Sequence, residues 1–289
     1  MELPEVTRSY EHHHLDSPRW QTFETRPGDV MITTAYKSGT TWMQTIVANL
    51  IFQDSEVPGP IMDISPWIDM RQRDFGEIRA LTEAQTHRRF LKTHLPLDGI
   101  PYKSDMSYIY VGRDLRDVFM SLWNHYRNHS ELFYEVTNNP DTLVGEPIPR
   151  CPDDIHELWK MWSTRGWFSW ENDGYPHWSA SHHAQTWWDY RHLPNIFFVL
   201  FQDLLDLLLE DRDELFGVEV LVGAKHVLHD RIPRRAVEEE IAVVLLEIGE
   251  VAQEVPRSAA PRREECRTHH LSGIGKRLAG EGIELGRVM

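Results

Sequence analysis

Residues 30–52 read VMITTAYKSGTTWMQTIVANLIF, and this stretch decides the fold. Its beginning is a short apolar run, which is typical of a buried strand. After Thr41, apolar residues recur at the spacing of one helix face. A polar cluster separates the two patterns, and it consists of Lys37, Ser38, Gly39, Thr40 and Thr41. We therefore predict a strand, a loop and a helix in direct succession.

A loop of this kind favours an anion. The first backbone N–H groups of a helix have no partner within the helix, and its dipole is positive at that end. Gly39 would allow close approach of the backbone, and Lys37 would add a charge, so a phosphate is the natural ligand. The alternative is that Ser38 or Thr40 merely caps the helix and Lys37 is solvated. The pattern G-x-x-x-x-G-K-[ST] is absent, which disfavours an ATP-dependent kinase.

Composition bounds the class of protein. The chain has 289 residues and a formal charge of −15, which is compatible with one α/β domain and argues against a nucleic-acid partner. Two distant cysteines, Cys151 and Cys266, indicate neither a disulfide framework nor a zinc site and favour the cytoplasm. The polar N-terminus and the short apolar runs predict a soluble protein with no membrane segment. The sequence leaves the oligomeric state open.

Further strands are indicated around residues 90–94, 107–112 and 195–201, and helical patterns follow or precede them. Strands alternating with helices predict a parallel sheet, whose ligands gather at the carboxyl ends of the strands. Lys37, Lys92, His94 and Arg113 all fall at such ends. Taken singly, Arg113 could form a surface ion pair with Asp114, and Lys92 and His94 could face solvent.

Residues 128–183 interrupt this alternation with little apolar periodicity and many Trp and Tyr residues. Long insertions at the ligand edge are often lids, and an aromatic packing subdomain is an equal alternative. Two histidine groups carry no metal-binding spacing. We expect His12, His13 and His14 to lie on a solvated arm, and we expect His182 and His183 to be surface or lid residues of a helix.

Four stretches resemble the cytosolic-type sulfotransferases that use 3′-phosphoadenosine 5′-phosphosulfate (PAPS), particularly bacterial members. The resemblance spans about residues 20–205 in matching order. The stretches are YKSGTTW at 36–42, FLKTHLP at 90–96, YVGRDLRDVFMS at 110–121 and HHAQTWWDYRHLPNIFFVLFQDL at 182–204. The family likeness implies a single P-loop-like α/β domain over residues 1–289, with a core at 20–205 and an aromatic-rich lid insertion at 128–183.

The resemblance also implies roles for individual residues. The first loop, Lys37 to Thr41, would hold the 5′-phosphosulfate, and Trp42 would stack near the adenine. Arg113 and Ser121 would hold the 3′-phosphate. His94 would be the general base, titrating near neutral pH, while Lys37 and Lys92 would stabilise charge in sulfuryl transfer to a hydroxyl or amine. No metal is implied.

The sequence departs from the family pattern in several places. Tyr36 and Ala35 replace the usual proline and tyrosine before the lysine, and Phe201 replaces a common tyrosine. Residues 204–289 lack Trp and Tyr and lack the family element that closes over the nucleotide. This atypical tail is compatible with divergence, gene decay or a frame shift, so a catalytically impaired nucleotide-binding relative is the second hypothesis. The tail still allows a helix at 236–255, with poor order beyond 256.

The aromatic-rich segment favours an apolar or aromatic alcohol as the small-molecule acceptor.

Overall fold

The computed structural model describes residues 2–53 and 57–210. The helix expected at 236–255 and the poor order expected beyond 256 lie outside the described residues. The strands within residues 2–53 and 57–210 are β1 Val30–Thr34, β2 Phe90–Thr93, β3 Ser107–Gly112 and β4 Ile196–Leu200. They form one sheet in the order β2-β1-β3-β4, and every pairing is parallel. The predicted α/β architecture with a central parallel sheet is therefore confirmed.

Helices cover the sheet and connect its strands. The predicted strand-loop-helix unit is present, since helix α2, Thr40–Phe52, begins six residues after the end of β1. The helices in the described residues are α1 Arg19–Thr22, α2 Thr40–Phe52, α3 Ile61–Ile64, α4 Phe75–Glu83, α5 Leu115–Tyr126, α6 Glu131–Thr137, α7 Ile155–Thr164, α8 Ala180–Trp188 and α9 Phe201–Glu210. A single 3₁₀ turn, Leu97–Gly99, follows β2.

The sheet is buried on both faces, as expected for parallel strands. In β1 every residue is buried, and the side chains alternate between two cores. Val30 and Ile32 pack with Val47 of α2, whereas Met31 packs with Trp187 of α8. The alternation places the two apolar layers on opposite sides of the strand ends that carry the candidate site.

The insertion at 128–183 contains two helices, α6 and α7, in addition to the start of α8. The expectation of little apolar periodicity was wrong for α7, because Leu158 and Trp162 form its buried stripe. This stripe packs against α5, where the Phe119 ring lies 5.5 Å from that of Trp162. This part of the insertion therefore packs on α5, as a packing subdomain would. The lid role stays a prediction.

The N-terminal arm is buried, so the expectation of a solvated histidine arm was wrong. His12 and His13 are 0% and 1% exposed, and His14 is buried as well. Arg71 Nε donates to the carbonyl of His12 over 2.7 Å, which fixes the backbone of the arm. The His12 imidazole stacks on the rings of Phe168 and Trp178. Both His12 and His13 also meet the indole of Trp167 edge-on. Tertiary contacts thus override the polar character of this stretch.

The second histidine expectation was partly wrong. Both residues lie on the predicted helix, α8, but His183 is fully buried. Its Nε2 is 3.2 Å from the hydroxyl of Thr33, so it belongs to the interior between helix and sheet. His182 is half-buried, and its Nε2 contacts Asp98 over 3.1 Å.

Candidate active site

The loop between β1 and α2 has an uncommon backbone. Lys37 has φ of +65°, and Gly39 has φ of +100°. A lysine in this left-handed region is held against its intrinsic preference, which is a feature of functional loops. The guanidinium of Arg113 fixes it, because its Nη1 donates to the carbonyl of Lys37 over 3.0 Å. The end of β3 and the loop after β1 therefore meet, as the sequence predicts.

The first amides of α2 receive no side-chain cap. Gly39 is the N-cap residue, and no side chain caps the helix, so the capping alternative for Ser38 or Thr40 was wrong. The Thr40 hydroxyl instead contacts that of Thr34 over 2.6 Å. Ser38 is buried and Thr41 is exposed. Uncapped amides at a helix N-terminus are the donors that anions bind.

His94 follows β2 directly and is 3% exposed, so it does not face solvent. Its Nδ1 lies 2.8 Å from the carbonyl oxygen of Thr34. Because a carbonyl can only accept, Nδ1 carries the hydrogen and the lone pair of the neutral ring lies on Nε2. Burial and the positive charge of Lys92 hold the pKa of His94 well below its usual value. The ring is thus a neutral base at pH 7, and the expectation of titration near neutrality was wrong.

Lys92 is half-buried beside His94. Burial lowers the pKa of Lys92 to about 8, the carboxylate of Asp69 opposes this change, and the charge of Lys37 adds to it. The pKa of Lys37 is lowered by burial and by the charge of Arg113. These mutual effects place the three cations in one electrostatic neighbourhood, where an anion would relieve their repulsion.

Arg113 does not form the surface ion pair considered above, because Asp114 binds Arg116 over 2.6 Å. Its guanidinium lies 4.4 Å from the centre of the Phe201 ring. Its Nε is buried and has no hydrogen-bond partner within residues 2–53 and 57–210. A buried guanidinium N–H without a partner is costly, and a phosphate oxygen would satisfy it. The donor set therefore fits an anionic ligand.

Two predicted binding residues lie at the margins of this group. Trp42 is 41% exposed at the start of α2, and its ring lies 5.3 Å from that of Phe201. Ser121 is half-buried on α5, two turns beyond the end of β3. Adenine stacking by Trp42 and phosphate binding by Ser121 stay predictions.

Residues 27–210 match the family model described as "Sulfotransferase domain", which is more than half of the chain. The chain belongs to this sulfotransferase family. A glycolipid sulfotransferase of Mycobacterium bovis (strain BCG / Pasteur 1173P2) is 36% identical over 197 residues, which cover 63% of this chain and 60% of the relative. Sulfotransferase 1A1 of Canis lupus familiaris is 26% identical over 191 residues, which cover 64% and 56%. The match thus spans about three fifths of the length of these relatives.

Solved structures resemble the sulfotransferase domain less closely. Retinol dehydratase in a complex with retinol and PAP has a TM-score of 0.47 and 21% identity, and the match covers 81% of this chain and 70% of that one. Mouse sulfotransferase SULT7A1 complexed with PAP has a TM-score of 0.46 and 17% identity, with coverage of 83% and 70%.

Several residues of this sulfotransferase site were missed by sequence reasoning. The indole of Trp67 lies 4.8 Å from the imidazole of His94, and Lys92 Nζ lies 4.8 Å from the centre of the indole ring. Tyr36 and Trp178 also approach the His94 imidazole, at 5.8 and 5.5 Å. The sequence SPWIDM at 65–70 gave a weak signal, since it places a tryptophan and an acid two residues apart in a connecting segment.

The described part of the chain contains neither a metal-ligand cluster nor a membrane-spanning helix. Across residues 2–53 and 57–210, no group of three or more His, Cys, Asp or Glu side chains is arranged to hold a metal ion. Within the same part of the chain, no helix combines the length and apolar character needed to cross a bilayer.

Proposed function

We propose that this chain transfers a sulfuryl group from PAPS to a hydroxyl or amine of a small-molecule acceptor. The observation that carries the proposal is the hydrogen bond from Arg113 Nη1 to the carbonyl of Lys37, at 3.0 Å. It joins two strand ends into one cationic edge, and PAPS carries anionic groups at both its 3′ and 5′ positions. The donor supplies an activated sulfuryl group, so the protein needs mainly to position and to stabilise charge.

In this proposal the loop Lys37 to Thr41 holds the 5′-phosphosulfate through backbone amides, hydroxyls and the lysine ammonium. Arg113 and Ser121 hold the 3′-phosphate, and Trp42 stacks near the adenine. Lys37 and Lys92 neutralise charge that develops on the departing phosphate oxygen. No metal is needed in this scheme, because the cations of the chain carry the charge.

His94 is the general base of the proposed reaction. Its Nδ1–H bond to Thr34 leaves Nε2 to accept the proton of the acceptor. Its low pKa keeps the ring unprotonated at neutral pH. Turnover should therefore be flat through neutral pH and fall above about pH 8, where Lys92 loses its proton.

We infer an acceptor with an apolar or aromatic part. Three aromatic rings, those of Tyr36, Trp67 and Trp178, lie within 6 Å of the His94 ring, centre to centre. Such rings suit an aromatic alcohol or the hydroxyl of an amphipathic lipid. The name glycolipid sulfotransferase of the mycobacterial relatives agrees with the second class. We further propose one domain over 1–289, with its core at 20–205 and a tail at 204–289, working in the cytoplasm.

The second candidate is a relative of the same fold that binds the nucleotide without transferring the sulfuryl group. The atypical composition of residues 204–289 favours it, because the family element that closes over the nucleotide is not recognisable there.

A transfer assay with ³⁵S-labelled PAPS and a panel of aromatic alcohols and glycolipids tests the proposal. The wild-type protein should form labelled product. His94→Ala should lose about 10²- to 10⁴-fold in kcat while still binding PAP, 3′-phosphoadenosine 5′-phosphate, which is the donor without its sulfuryl group. His192→Ala, at an exposed histidine, is the matched control and should keep full turnover. PAP binding with no product from any acceptor would favour the second candidate, and equal turnover of wild type and His94→Ala would remove His94 as the base.

A further inference from the structure

Asp69 is a buried carboxylate directly behind the candidate site. It is 0% exposed and lies in the connection between α3 and α4. Its oxygens accept from three side chains. These are Trp20 Nε1 at 3.0 Å, Trp67 Nε1 at 2.8 Å and Thr93 Oγ1 at 2.7 Å. A carboxylate in this position is costly unless such donors satisfy it.

These partners favour the charged form of Asp69. An indole N–H can only donate, so both tryptophans require an acceptor. The Thr93 hydroxyl accepts from the Leu95 amide over 3.0 Å and is therefore free to donate to Asp69. Burial raises the pKa of Asp69, and its three hydrogen bonds oppose that rise. The geometry thus supplies three donors to the carboxylate.

The first link from Asp69 to the site runs through Trp67. The hydrogen bond from its Nε1 fixes the plane of the indole. That ring lies 4.8 Å from Lys92 Nζ and makes an edge contact with His94 at 4.8 Å. The backbone supports the same arrangement, since the Lys92 amide donates to the Pro66 carbonyl over 3.0 Å. One oriented indole therefore contacts both proposed catalytic side chains.

The second link runs through Thr93. Its side chain bonds Asp69 on one side and the amide of Leu95 on the other. These two bonds bracket His94, whose backbone lies between Thr93 and Leu95. The turn that presents His94 is thereby tied to the carboxylate.

The third link is electrostatic. The charged groups that act on Lys92 are the carboxylate of Asp69 and the ammonium of Lys37, and the neutral imidazole of His94 lies on the same strand end. Lys37 opposes the charge on Lys92, whereas Asp69 supports it. A nearby opposite charge favours the charged form of a lysine, so the carboxylate of Asp69 helps to keep Lys92 protonated.

We propose that Asp69 is a positioning residue of the transfer site, which orients Trp67 and the His94 turn and supports the positive charge of Lys92. This inference rests on the proposed function, since it gives Lys92 and His94 their roles in catalysis. Asp69 itself touches neither donor nor acceptor. It acts through the three side chains that it binds and through its charge.

The test compares three variants with the wild-type protein. Asp69→Asn removes the charge and one acceptor oxygen, and Asp69→Glu restores the charge. Asp98→Asn is the matched control, because Asp98 also accepts from three side chains, those of Arg8, Tyr10 and His182. For each protein, PAP binding, kcat against pH and the titration of Lys92 are measured. The last uses NMR of ¹³C-methylated lysines, with the Lys92 signal assigned by its loss in Lys92→Arg.

For Asp69→Asn we expect PAP affinity within about threefold of wild type and an alkaline limb of kcat shifted down by about one pH unit. At pH 8 such a shift lowers the protonated fraction of Lys92, and hence kcat, about fivefold. The Lys92 signal should titrate at correspondingly lower pH. Asp69→Glu should return the limb toward its wild-type position, and Asp98→Asn should not move it.

An unchanged limb and an unchanged Lys92 titration in Asp69→Asn would overturn the proposal, as would an equal shift in Asp98→Asn. If Asp69→Asn does not fold, the variant Trp67→Phe tests the proposal instead, because it removes the N–H donor to Asp69 and keeps an aromatic ring at this position. It should lower kcat severalfold at constant PAP affinity, and an unchanged kcat would overturn the positioning role. If the wild-type protein transfers no sulfuryl group, the proposed function fails, while the NMR titration still tests the coupling of Asp69 to Lys92.

Discussion

Gly39 offers the sharpest test of the loop geometry. Its φ is +100°, and a Cβ added there would lie 2.3 Å from Cδ2 of Phe201. The replacement Gly39→Ala therefore has two separate costs. One is the strain of an L-residue in the left-handed region, and the other is the displacement of the Phe201 ring.

The two costs can be estimated. The left-handed backbone costs about 1–2 kcal/mol for a residue with a Cβ. Overpacking against a buried ring adds about 1–3 kcal/mol, because Phe201 is already held between Trp42 and Arg113. We expect Gly39→Ala to lower the free energy of unfolding by about 2–5 kcal/mol and to weaken PAP binding.

A matched control separates the cost of backbone strain from the cost of displacing the Phe201 ring. Gly28 has φ of +83°, and no atom lies within 4 Å of its added Cβ. Gly28→Ala should therefore cost only the backbone term, about 1–2 kcal/mol. The free energies of unfolding are measured by urea denaturation, and PAP affinity is measured by calorimetric titration.

A double-mutant cycle with Phe201→Ala completes the test. Removing the ring should reduce the cost of Gly39→Ala to the value of Gly28→Ala. If Gly39→Ala costs the same with and without the Phe201 ring, the close approach of loop and ring is refuted.

Two further predictions concern the pH dependence of stability and the affinity for PAP. The pKa of His13 is lowered by burial to about 4, and those of His12, His14 and His177 are also lowered well below 6.5. The unfolded chain binds these protons first, so stability is complete above pH 6.5 and falls toward pH 4, by up to about 3 kcal/mol for His13 alone. Urea unfolding at pH 7.5 and 5 checks this, and equal midpoints would contradict it. Phe201→Tyr should tighten PAP binding about two- to tenfold by adding a hydroxyl beside Arg113, and calorimetry showing equal or weaker binding would contradict that.

Local pattern was enough to predict the part of the site that lies on the sheet. The apolar run before Lys37 and the helical spacing after Thr41 are both short-range signals, and the structure contains both elements. The meeting of Lys37, His94 and Arg113 follows from a general rule of parallel sheets. The order of strands and helices in the sequence is therefore enough to predict that these residues lie at one edge.

The features that the sequence did not predict depend on contacts between residues far apart in the chain. The burial of His12 depends on Arg71, which lies 59 residues further along the chain, and nothing in the arm itself signals this. Asp69 was missed because a single acid in a connecting segment resembles any solvated acid. Its role is visible only when Trp20, Trp67 and Thr93 converge on it.

The central claim is that the edge formed by Lys37 and Arg113 binds a nucleotide with two anionic ends. Calorimetric titration of the full chain with PAP tests it most directly, alongside Lys37→Ala, Arg113→Ala and the control Arg116→Ala, whose guanidinium is exposed and bound to Asp114. We expect saturable binding by the wild-type protein and by Arg116→Ala, and a loss of about tenfold or more in each of the other variants. The account is contradicted if the wild-type protein does not bind PAP, or if it binds with an affinity that neither Lys37→Ala nor Arg113→Ala changes.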